Sequence, residues 1–75
     1  MDSTPILAKN VRFSGDDMIV SLVDGRTIAV PLRWFPRLAT ASQKQLVNYE
    51  LLSDGEGIHW PDMDEDISVA ELLRR

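Results

Sequence analysis

The sequence predicts an α+β domain: a small antiparallel β-meander and hairpins, one short central helix and a short C-terminal helix, in the order β-β-β-α-β-β-α. Three observations carry that expectation. A β-branched run from Met18 to Val30 is broken once, by Asp24-Gly25. A helical spacing begins near Ser42, behind capping residues. A turn cluster, "SDGEG" at 53–57, then separates two short apolar stretches, and a second capping pattern follows at Ser68.

Taken in order, Val11 and Phe13 stand two apart, so Lys9 to Phe13 forms the first strand of the meander. Ser14-Gly15-Asp16-Asp17 reads as a loose turn after it. Met18, Val20 and Leu22 alternate with Ile19, Ser21 and Val23, and Thr27 to Val30 resumes the pattern after Asp24-Gly25, a dipeptide suited to a tight primed turn. Pro31 closes that hairpin because it has no N–H to donate. Pro36 holds Phe35 out of the helical region and opens a short turn through Arg37 and Leu38.

Thr40-Ala41-Ser42-Gln43 reads as a capping box before a helix over 42–51, with Leu46 and Tyr49 on one face. Leu51-Leu52 and Ile58-His59-Trp60 flank the "SDGEG" turn as a second hairpin, and Pro61 ends it. Asp64 to Asp66 place negative charge ahead of Ser68-Val69-Ala70-Glu71, a further capping box, and Leu72 to Arg75 complete the last helix with cations at its C-terminal end.

Seventy-five residues make a single domain, 1–75, because a chain this short buries only roughly 60% of its unfolded surface and has nothing left for a second core. The absence of cysteine excludes a disulfide framework, a thiolate zinc site and a cysteine nucleophile. "MDSTPILAKN" has no apolar run of signal-peptide length, and no run of about 18 apolar residues occurs anywhere. The expectation is a soluble cytoplasmic protein without a membrane span.

The net charge of −4 is unevenly spread. Residues 1–37 hold five basic and four acidic side chains, residues 38–75 three basic and eight acidic, and no lysine or arginine lies between Glu50 and Glu71. Such a half repels phosphate backbones and attracts a basic protein, so nucleic acid is not the expected partner.

The segment "GIHWPDMDEDIS" concentrates the chain's single histidine with four carboxylates. His59, Asp62 and Asp64 could supply one nitrogen and two oxygens to a manganese, iron or zinc ion, which makes a metal-dependent enzyme the alternative function. The simpler account has a strand end, a proline-closed acidic turn and the entrance to a helix, and every residue in it has a local structural reason. Neighbouring acids in one turn do not face each other across a sugar, the serines all have turn or cap roles, and Gly55 and Gly57 lie in an acidic turn that repels phosphate. No cofactor is implied, and the chain reads as a non-enzyme.

Of the five aromatic residues, Phe13, Trp34, Phe35, Tyr49 and Trp60, most belong to the core, each removing about 150–250 Å² from water. Arg33-Trp34-Phe35-Pro36-Arg37 nevertheless joins two residue types enriched at interaction hot spots. Arg33 and Arg37 could grip phosphate, which makes a DNA-associated regulator a further alternative. The competing role for Arg37 is an ion pair with Asp64, Glu65 or Asp66. The candidate interaction residues are therefore Arg33, Trp34, Arg37, His59, Trp60, Asp62, Asp64, Glu65 and Asp66.

"DGRTIAVPLRWFPRLATAS", "NYELL" and "GIHWPDMDEDISVAELL" resemble, in order and spacing from Val11 to Leu73, the bacterial family known as domain of unknown function 2442. The resemblance implies a small α+β fold. It also implies that the gene lies beside a second small gene in a toxin–antitoxin-like pair. Longer members add a helix-turn-helix domain, which is not expected here because the sequence stops at Arg75, and Tyr49 stands where relatives often have tryptophan. The family brings no catalytic residues with it. The expected function is a protein-interaction module, antitoxin-like or regulatory, whose residues 62–66 steer it to the adjacent gene's product and whose Trp34 or Trp60 gives contact area. A free sheet edge could also join two copies as a homodimer.

Overall fold

A computed structural model describes residues 6–74. Two three-stranded antiparallel sheets, each a meander, are joined by short helical turns, which is the α+β architecture the sequence predicts. The first sheet holds β1 (Ala8–Ser14), β2 (Asp17–Leu22) and β3 (Thr27–Pro31) in that order. Val11, Val20 and Ile28 share one face, as do Phe13, Met18 and Val30, because register partners in an antiparallel sheet lie on the same side. A register irregularity between Ala8 and Asn10 marks the start of β1.

The two turns of this sheet differ from expectation. Ser14 pairs with Asp17, so the first turn is a tight two-residue connection and not a loose one. The second is longer than a primed turn: Gly25 N–H reaches Leu22 O at 3.1 Å and Leu22 N–H reaches Arg26 O at 2.8 Å, leaving three residues in the loop. Gly25 takes φ +97°, the left-handed position that such three-residue hairpins reserve for glycine. Asp24 secures the loop by accepting the Arg26 backbone N–H at 3.0 Å and its Nε at 2.8 Å. The backbone bond first, and the guanidinium with it, hold the Asp24 carboxyl below its ordinary pKa against the opposing effect of desolvation.

After a 3-10 turn at Leu32–Trp34, α1 (Pro36–Ala39) begins on its proline and α2 (Gln43–Val47) follows. The capping box lies two residues later than predicted: Ser42 Oγ accepts from Gln45 N–H at 3.2 Å, and Gln45 Oε1 accepts from Ser42 N–H at 3.0 Å. Thr40 instead bonds back to Pro36 O at 3.2 Å, closing α1. The predicted helix over 42–51 is cut short at Val47, because Glu50–Leu52 is drawn into a strand.

The second sheet holds β4 (Glu50–Leu52), β5 (Gly57–Trp60) and β6 (Glu65–Ser68). β6 is the largest departure from the predicted order. The residues read as a turn and helix entrance pair across β5, Ile67 with Ile58 and Glu65 with Trp60. Ser68 therefore spends its backbone on the strand and forms no side-chain cap, although α3 (Val69–Leu73) does start after it. Glu71, the expected partner of that cap, lies 3.3 Å from Arg74 instead. Arg75, assigned to the last helix by the sequence, is outside the described residues.

One core runs through both sheets. Met18, Val20, Leu22 and Val30 from the first meet Ile58, Trp60 and Ile67 from the second, with Leu38, Leu46, Val69 and Leu72 from the helices. Two contacts join the sheets. Tyr49 Oη accepts Val11 N–H at 2.9 Å. Gly55, at φ +115°, lies so close to β1 that a Cβ there would stand 2.8 Å from Ala8 N and nearer still to Ala8 O. Only glycine meets both demands.

Candidate interaction face

β5 places His59 between two carboxylates. Strand alternation buries Ile58 and Trp60 and turns His59 outward, and the register sets Glu50 of β4 on one side of it and Asp66 of β6 on the other. His59 Nδ1 bonds the Asp66 carboxylate. That bond raises the imidazole pKa above its ordinary value; desolvation opposes it, and the charges of Asp66, Glu50 and Asp64 add to the rise. The next row on the same face is Leu52, Gly57 and Ser68. Leu52 is 40% exposed and reaches over Gly57, where a Cβ would touch its side chain at 3.7 Å. The face thus combines a carboxylate–imidazole–carboxylate row with an apolar spot.

The turn that follows is held from outside. Arg37 Nη1 donates to Met63 O at 3.1 Å and Asp64 O at 3.5 Å, while its Nε lies 3.9 Å from Glu65 Oε1. Of the three carboxylates expected to meet Arg37, Glu65 is therefore the one it approaches, and carbonyls supply the closer contacts. Asn48 Nδ2 donates to Asp62 Oδ2 at 3.1 Å. Asp64 occupies the left-handed region at φ +52°, which lets the chain reverse from Pro61 into β6.

His59, Asp62 and Asp64 do not converge as an ion-binding set, since the histidine's partner is Asp66 and Asp62 is engaged by Asn48. Among the described residues no three His, Asp or Glu side chains gather in a way that could hold a metal ion. Trp60 is fully buried, its Nε1 donating to Leu46 O at 3.0 Å and its ring 6.5 Å from that of Tyr49, so it has no area to offer a partner. This corrects its place among the contact residues: an inward position of β5 in a small core claims the largest side chain. Trp34, expected mainly as core, is 43% exposed beyond the end of β3.

Arg33 lines a surface hollow of about 410 Å³ together with Asp16 and Asp17, while Arg37 lies beside Glu65. Each of these cations has acids for neighbours, an arrangement poorly suited to gripping phosphate. Glu50 lies inside the helix predicted over 42–51 and is therefore missed as a face residue, whereas Leu52 belongs to the predicted hairpin strand before the turn at Ser53, two residues too few to show which side faces outward.

Among the described residues no helix is long and apolar enough to cross a membrane. The sequence profile of the family described as "Protein of unknown function (DUF2442)" matches residues 8–75. The chain is also similar to a protein of unknown function from Rhodospirillum rubrum ATCC 11170, whose crystal structure aligns with a TM-score of 0.82 at 34% identity, over 95% of this chain and 88% of that one. No curated protein matches. The chain belongs to the DUF2442 family.

Proposed function

We propose that this DUF2442 protein is a non-enzymatic interaction module, the antitoxin-like or regulatory member of a two-gene pair, and that it masks a basic protein encoded beside it. The outward row of Glu50, His59 and Asp66 with Leu52 beside it supports this reading. Acidic groups steer a cationic partner into encounter, and an exposed leucine gives the small desolvated contact around which such interfaces close. The sequence reinforces the polarity, because no lysine or arginine interrupts it between Glu50 and Glu71.

Arg33, Trp34 and Arg37 form the other candidate contact group, and Asp62, Asp64 and Glu65 extend the acidic surface from the face into the following turn. Co-expression of the chain with the adjacent gene's product, followed by affinity capture at low salt, tests the proposal. A complex that weakens with salt, and weakens further when Glu50 and Asp66 are replaced by lysine, is the expected result. Absence of a complex at low salt overturns it.

A further inference from the structure

The four outer edges of the two sheets are not equivalent. β1 has its outward Val11 N–H taken by Tyr49 and its Ala8 end covered by Gly55. β4 is three residues long and carries Glu50, and β6 carries Glu65 and Asp66, so a second copy brought alongside either meets like charge. β3 is five residues, Thr-Ile-Ala-Val-Pro, without a charge.

Its hydrogen-bonding pattern follows from its register with β2. Leu22 N–H bonds Arg26 O and Leu32 N–H bonds Asp16 O, and the strands pair in register from Asp17 with Pro31 to Ser21 with Thr27. Bonded and non-bonded pairs alternate in an antiparallel ladder, so Ile28 and Val30 turn their backbone groups to β2. Thr27, Ala29 and Pro31 turn theirs outward. The free edge therefore presents N–H and C=O at Thr27 and at Ala29, and C=O alone at Pro31.

We infer that β3 is the homotypic interface of this protein, pairing antiparallel with β3 of a second copy about a two-fold axis at Ala29. In that register the two Ala29 residues exchange both their bonds, and each Thr27 N–H donates to the partner Pro31 C=O. Every outward donor of the strand is used, and the N–H that proline lacks is needed only by the Thr27 carbonyl. Ile28, half-buried in one chain, faces Val30 of the other and extends the apolar face across the axis. On the opposite face Ala29 meets Ala29 and Thr27 meets Pro31, small or uncharged in every pair. The two sheets become one of six strands, closing an edge that would otherwise remain a template for uncontrolled pairing.

Sedimentation velocity over a concentration series of the full chain tests this. The expected species has twice the 8.5 kDa chain mass and strengthens as salt screens the net charge, whereas binding to a basic partner weakens with salt. Ala29→Glu and Ala29→Lys each put like charges across the axis at an exposed position and should sediment as monomers with unchanged far-ultraviolet circular dichroism. Mixing the two variants should restore the dimer, which misfolded chains would not do. A wild type that stays monomeric at every concentration, a dimer that persists in Ala29→Glu, or a mixture that fails to reassociate overturns the assignment.

Discussion

The first sheet has strands of seven, six and five residues, and turns Arg12, Ile19 and Ala29 outward in one row. The second has strands of three, four and four residues and turns Glu50, His59 and Asp66 outward. Length and tight hairpins let the first sheet form from neighbouring residues. The second lacks both between β5 and β6 and is held by side-chain bonds to the rest of the chain: Trp60 reaching out to Leu46, Arg37 and Asn48 reaching in to the turn and to Asp62. A short strand gains little from its own ladder, so packing and tethers must supply the rest. The same shortness leaves its outer face free to carry charge that no core position would accept.

The comparison can be broken most forcefully at Trp60. Trp60→Ala removes the largest buried side chain of the second sheet and should cost about 3–5 kcal/mol, read from the midpoint of urea unfolding. Little change would mean that this sheet does not depend on its tryptophan. Gly55→Ala attacks the joint: a methyl group against the Ala8 backbone in a left-handed conformation should cost about 1–3 kcal/mol, and thermal melting would register it. Tyr49→Phe keeps the ring but orphans Val11 N–H, with an expected loss of about 1 kcal/mol and faster hydrogen exchange at that amide.

Arg37→Ala sharpens the contrast more gently, since its contacts are exposed. A loss of about 0.2–1 kcal/mol is expected, with chemical-shift changes confined to the turn and β6. The smallest effect is on pH dependence. The folded state raises the His59 pKa, so the contribution of its pair with Asp66 is complete below the unfolded value near 6.5 and fades as pH rises through the raised folded value. Neutral imidazole can still donate to the carboxylate, which keeps the change small. His59→Gln should flatten this part of the stability profile; an unchanged profile would show that the pair does not couple to folding.

The candidate face was half legible. His59 and Asp66 are marked by their own segment, and the turn cluster at Ser53 sets Leu52 across from the His59 strand, but nothing local indicates that Glu50 and Asp66 flank His59, because that neighbourhood is created by register across strands. Arg37 shows the same division. Its need for a partner in the acidic turn follows from charge, while the choice of Glu65 and two carbonyls depends on how the turn passes α1.

By itself the sequence determined the first sheet, the starts and stops at Pro31, Pro36 and Pro61, the existence of the central and last helices, and the acidic character of the second half. Each of these is encoded within a few residues, by turn chemistry, by proline's missing donor or by alternation over five positions or more. Only the tertiary structure decided that 65–68 would be a strand, that Trp60 would be inside and Trp34 partly outside, and that the helix after Ser42 would yield to β4. A four-residue segment with one apolar side chain has no readable period. Its backbone bonds are satisfied by β5, and that partner becomes available only once the chain has folded back on it.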